Sequence, residues 1–213
     1  MSTPVTDTRR PGEYALPGVD CVRAPIFGNV PGMTGREPHI AVREITAQDG
    51  DFLVDMVLEI ATANGENVTR RGVLTAPRLA RYATGWGRPG DLGLVAVDLD
   101  GPRGLQIPVG AAWIRHYAST EPGKGFVDSR VPELSISIVP GRRRMGIGRA
   151  LLAALIAKAR ESGVRAISMA LAPDNPARPL YEEAGFTEDP DAPSASEDSI
   201  TLVLELLSSS RSA

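Results

Sequence analysis

The sequence predicts a single domain of the α/β class, and three observations carry that prediction. Segments with two-residue alternation are interspersed with segments whose apolar residues recur at helical spacing. The chain has 213 residues and a mass of 22.6 kDa. By area scaling, folding buries about 70% of the unfolded surface, enough for a core without disulfides or metals. Between residues 133 and 163 a strand, a glycine turn and a long amphipathic helix follow one another.

Charge and composition then narrow the function. With 23 Lys+Arg against 26 Asp+Glu the net charge is −3, which argues against a broadly basic nucleic-acid binder and against a polybasic membrane binder. The one cysteine, Cys21, excludes an intramolecular disulfide framework and a cysteine-rich zinc site. No apolar run approaches the ~18 residues that span a bilayer. The first ten residues lack the basic-then-apolar order of a signal peptide, so a cytoplasmic protein is expected.

In chain order, residues 1–38 are punctuated by Pro4, Pro11, Pro17, Pro25, Pro31 and Pro38 with glycines between, and no strand or helix period survives there. They read as an extended arm, followed by a domain over 39–207 and a short tail over 208–213. Ile40 and Val42 alternate with polar neighbours and predict a strand over 39–45. Thr46 and Asp49 mark a helix start, and Phe52, Leu53, Met56, Val57 and Ile60 give a helix over 52–61. A short helix is expected over 77–83. Strands over 93–98 and 109–115 are joined at the Asp100-Gly101-Pro102 turn. Residues 119–132 read as a polar insertion. Leu134, Ile136 and Ile138 alternate with Ser135 and Ser137 in a half-buried strand that stops at Pro140-Gly141. A helix over 149–162, a strand over 164–171, a helix over 176–184, a solvated loop over 188–198 and a strand over 199–206 complete the pattern.

The turn Arg143-Arg144-Met145-Gly146-Ile147-Gly148 lies between strand and helix, the setting of an anion cradle. Glycines let the backbone approach closely, and consecutive N–H groups with the helix N-terminus favour a phosphate. The alternative is an ordinary turn flanked by solvated arginines. Neither a Walker A loop nor a dinucleotide fingerprint fits. No Lys-Ser/Thr follows the glycines, and Leu151 holds the place of the third glycine.

Arg143-x-x-Gly146-x-Gly148, following Glu133 to Pro140, resembles the acyl-CoA motif of the GNAT superfamily of N-acetyltransferases. Asp174-Asn175 and Leu180-Tyr181…Gly185-Phe186 resemble its later motif. One departure is Arg144, where many relatives have glycine. The resemblance implies a mixed, mostly antiparallel seven-stranded sheet flanked by about four helices and splayed between its fourth and fifth strands. It implies acetyl-CoA as cosubstrate, a primary amine as acceptor, and a possible homodimer. It places backbone bonds to the pantetheine arm at Ile138 and Val139. Met145, Gly146, Ile147, Gly148 and Arg149 would meet the pyrophosphate, with Arg143 and Arg144 flanking and Asn175 contributing from the later motif.

Amide formation needs a neutral amine, whereas an alkyl ammonium has a pKa of about 10.4. A base must take its proton, and an acid should protonate the departing thiolate. Glu133 stands where relatives often carry a base or a water-holding glutamate; the alternative is a solvated strand-end carboxylate. Tyr181 matches the family tyrosine whose hydroxyl sits near the CoA sulfur, with simple packing as the alternative. His39, His116 and Cys21 form no evident nucleophile pair or metal cluster. Tyr82 and Trp86 are candidate liners of the acceptor pocket, and Trp113 reads as core. The rival function is an acyl-CoA-binding module without catalysis.

Overall fold

The computed structural model describes residues 39–193 and 198–206. The proposed arm over 1–38, Cys21 within it, and the tail over 208–213 lie outside the described residues.

The strands are β1 (Ile40–Glu44), β2 (Leu92–Asp98), β3 (Ile107–Arg115), β4 (Glu133–Ile138), β5 (Ala166–Leu171), β6 (Thr187–Glu188) and β7 (Ile200–Glu205). They form one seven-stranded sheet in the order β1-β2-β3-β4-β5-β7-β6. All neighbours are antiparallel except β4 and β5, which run parallel. The helices are α1 (Gly50–Ala63), α2 (Arg70–Thr75), α3 (Pro77–Ala83), α4 (Ile147–Glu161) and α5 (Arg178–Glu183).

Strand alternation divides the core between the two faces of this sheet. Leu94, Ala112, Leu134 and Met169 turn to one face and pack on Leu151, Leu152 and Leu155 of α4 and on Tyr181 and Phe186. Val95, Ala111 and Trp113 turn to the other, under Phe52, Leu53 and Met56 of α1, Val73 of α2 and Leu79 of α3. Trp113 is fully buried, as its apolar strand suggests.

Two elements go beyond the sequence reading. Helix α2 starts where the Thr69 hydroxyl accepts the Gly72 N–H at 3.1 Å, a cap whose single turn is too short for a visible period. Residues Thr187–Glu188, read as the start of a loop, pair with β7 at Val203 and Leu202 as an edge strand. Both are exposed, so they have no apolar alternation to betray them. The 119–132 insertion has no regular element, and it folds over the start of β4, as Gly123 and Gly125 show below.

Candidate active site

The glycine turn is shaped by left-handed backbone. Gly146 has φ +78° and caps α4, a conformation that costs other residues roughly 1–2 kcal/mol. Arg144 also lies there, at φ +59°, which gives a backbone reason for glycine at the matching position of relatives. Among the described residues, the N–H groups of Met145 to Arg149 find no backbone acceptor, and Ala150 makes the first helical bond to Gly146 at 3.0 Å. Free N–H groups at the start of a 15-residue helix form an anion site in the ordinary physical sense. A Cβ at Gly148 would stand 3.9 Å from both Ile138 and Leu180, so this second glycine is not demanded by sterics within the chain.

The arginines are more tightly held than a mobile basic triplet. Arg142 pairs with Asp98. Arg143 donates through Nε to the Ile138 carbonyl at 3.0 Å and through Nη2 to Glu59 at 2.9 Å. Arg149 pairs with Glu183 at 2.6 Å on the surface. Arg144 is exposed and has no ion pair among the described residues.

Strands β4 and β5 part almost as soon as they meet. Their register holds one pair, Glu133 with Ser168, and the Ser168 N–H reaches the Pro132 carbonyl at 3.0 Å. Beyond that point β4 and β5 share no further register pair, although at the far end of this edge the Ile138 carbonyl is taken by Arg143 Nε. Val139 donates to Val109 at 3.0 Å and accepts from Arg142 at 2.8 Å, so its backbone is turned to β3 and the following turn. By strand alternation, the groups turned toward β5 are those of Ile136 and Ile138.

Glu133 sits at the apex of the parting strands. It is not a solvated strand end but is 4% exposed. The Tyr82 hydroxyl donates to Oε1 at 3.1 Å and itself accepts the Lys124 N–H at 2.7 Å. Oε2 is buried without a hydrogen-bond partner, as are the Tyr117 hydroxyl and Ser168 Oγ. Gly123 lies directly on this carboxylate: a Cβ there would come within 1.9 Å of Oε2. Gly125 packs on the Met169–Ala170 backbone of β5, where a Cβ would come within 2.5 Å of the Met169 carbonyl carbon. Burial pushes the Glu133 carboxyl up to about 7, against the opposing pull of the nearby Gly125 N–H, the Tyr82 hydroxyl and the charges of Arg81 and Lys124.

Tyr181 occupies the opposite face. It is buried on α5 with its ring edge-on to Phe186 at 6.1 Å, and burial raises its phenol to about 12. Leu134 packs with Tyr181 on the α4 face, so its neighbour Glu133 points to the α1–α3 face. The gap between β4 and β5 is the passage that joins the two. Asn175 turns inward on its own loop, its Oδ1 accepting the Ala177 N–H at 2.9 Å in a turn that leads into α5.

Other candidates stay apart. Trp86 donates to the Ile45 carbonyl at 3.3 Å and lies under Arg115, toward the β1 side of the sheet. His116 is exposed beside the Ser129 carbonyl at 3.1 Å, and His39 precedes the edge strand β1. Among the described residues no group of three or more His, Cys, Asp or Glu could hold a metal, and no helix is long and apolar enough to cross a membrane.

A parted parallel strand pair beside a helix with a free N-terminus defines an acyl-CoA transferase type of site. Residues 54–186 match the family model described as the acetyltransferase (GNAT) family. The chain belongs to this family of acetyltransferases, whose acyl donor is acetyl-CoA. No curated protein sequence matches it. Among solved structures, an acetyltransferase of the GNAT family from Staphylococcus aureus Mu50 is similar, with a TM-score of 0.58 and 19% identity over 79% of this chain and 99% of that one. The yncA structure from Salmonella typhimurium, solved with its cofactor acetyl-CoA, gives 0.55 and 22% over 80% and 96%. Ribosomal-protein-alanine N-acetyltransferase from Brucella melitensis gives 0.53 and 24% over 78% and 99%. At these identities the likeness is one of fold.

Proposed function

We propose that the chain is an N-acetyltransferase that moves the acetyl group of acetyl-CoA directly to a primary amine, with Glu133 as base and Tyr181 as proton donor. The observation that carries this reading is the position of Glu133: a buried carboxylate with one unpartnered oxygen, at the point where β4 and β5 separate. The residues present fit acetyl-CoA. The backbone of Ile136 and the Ile138 N–H are turned to the gap, in the manner of a strand edge awaiting a partner, while the Ile138 carbonyl is held by Arg143. The N–H groups of Met145 to Arg149 suit the pyrophosphate, with the exposed Arg144 beside them.

Glu133 takes the ammonium proton through an intervening water, since Gly123 covers it from direct contact. The freed nitrogen lone pair forms the C–N bond, the C–S bond breaks, the thiolate takes the proton of Tyr181, and the second proton lost by the acylated nitrogen passes through solvent to restore the Tyr181 phenol. Residues 39–206 hold every residue this scheme uses, consistent with a catalytic domain over 39–207. A carboxylate whose pKa lies near 7 suits general base catalysis at neutral pH.

The test joins calorimetry with acetyl-CoA to CoA release across a panel of primary amines, small and peptidic. Binding with turnover on at least one amine is expected. Glu133→Gln should then lower kcat/KM by about 10²–10⁴-fold, least at high pH where the amine deprotonates itself. Binding without turnover on any amine would favour the silent module instead.

A further inference from the structure

We infer that Tyr82 is the positioning residue for the Glu133 carboxylate, fixing Oε1 so that Oε2 is the oxygen left to take the acceptor's proton through the intervening water. This rests on the reading of Glu133 as the base.

The phenol is held from three sides. Its backbone carbonyl accepts the Trp113 Nε1–H at 3.0 Å, and the carbonyl of its neighbour Arg81 accepts from Arg115 at 2.8 Å. Both donors are buried side chains of β3, so the last turn of α3 is pinned to the sheet. The Tyr117 ring flanks Tyr82 at 5.3 Å. A tyrosine hydroxyl has one proton. Because the Lys124 N–H donates to this hydroxyl at 2.7 Å, the hydroxyl's own proton is directed to Oε1 at 3.1 Å. The loop that supplies the Lys124 N–H is tied to the same helix, the Pro122 carbonyl accepting from Arg81 at 2.7 Å. Lys124 Nζ also lies 3.6 Å from Glu66. Gly123 completes the socket, since a Cβ there would stand 3.0 Å from the Tyr82 hydroxyl as well as against Oε2. The groups facing the carboxylate are thus Tyr82 and Arg81 from α3, Lys124 and the Gly125 N–H from the loop, and Tyr117 beyond β3.

Donation from Tyr82 favours the ionised carboxylate against its burial. Tyr82→Phe keeps the ring and the backbone bonds and removes only the donor. The measurement is the titration of Glu133 by carboxyl infrared difference spectra or by NMR with carboxyl-labelled glutamate, Glu133→Gln identifying the signal. The midpoint should rise by about one pH unit, because a hydrogen bond to a charged group is worth about a tenfold change or more. The acidic limb of the kcat/KM profile should move with it. Incorporating 3-fluorotyrosine at position 82, a more acidic phenol, should lower the midpoint, and this second measurement serves if the Phe variant does not fold. An unchanged midpoint in either folded protein overturns the assignment. If the midpoint moves as stated but Glu133→Gln keeps the parent's rate, Tyr82 positions the carboxylate and the base lies elsewhere.

Discussion

The Glu133→Gln variant should gain stability relative to the parent as pH rises from acid to alkaline. The carboxyl is pushed from 4.5 up to about 7 chiefly by burial, so the folded state retains a proton that the unfolded chain has released over that window. The sign follows from proton counting: with fewer protons on the unfolded state, stability falls as pH rises from 4.5 to about 7, by about 1.4 kcal/mol per unit. The full loss amounts to about 3 kcal/mol. It is absent below the unfolded value and complete above the folded one. Glutamine has nearly the same size and still accepts from Tyr82 at Oε1. Its amide nitrogen, placed where Oε2 has no partner, adds a cost that does not depend on pH. Urea denaturation of parent and variant at pH 5 and pH 8.5 isolates the term as the change in their stability difference. For a domain of this size, that change corresponds to about 6–12 °C in melting temperature. A stability difference that is the same at both pH values would refute the argument that Glu133 carries a burial-raised pKa.

Gly146→Asp and Gly148→Asp should each weaken acetyl-CoA binding by calorimetry, by placing a carboxylate beside phosphates; unchanged affinity in both folded variants would remove the cradle from the scheme. Their alanine counterparts should differ in stability: Gly146→Ala loses about 1 kcal/mol to its left-handed backbone, while the methyl of Gly148→Ala has room 3.9 Å from Ile138. Tyr181→Phe should lower kcat with little change in acetyl-CoA affinity, and a variant with the parent's kcat, under conditions where chemistry limits turnover, would return Tyr181 to a packing role.

The alternating and helical periods were sufficient to place β1 to β5, β7 and four of the five α-helices, because burial on one or both faces writes itself into residue spacing. The glycine turn was legible for a similar reason, since close backbone approach and the left-handed φ of Gly146 restrict residue choice locally. What depends on distant neighbours was not legible. Arg43 reads as an outward polar residue of β1, yet it is buried against Asp49 at 2.6 Å. Arg115 reads as a strand end, yet it is buried, pairs with Asp91 at 2.7 Å and anchors the α3–β2 connection.

Glu133 shows the division within the site itself. Its place at the head of β4 follows from sequence, and its chemistry does not. A glutamate at a strand end is ordinarily solvated, with a carboxyl near its usual value. Here Tyr82, 51 positions away in sequence, and Gly123, in a loop without periodicity, close over it and take away the water that would favour its charge. The sequence alone determines which residues alternate, turn and cap. The tertiary structure decides which carboxylate loses its solvent, because desolvation is a property of everything packed around a group and not of its place along the chain.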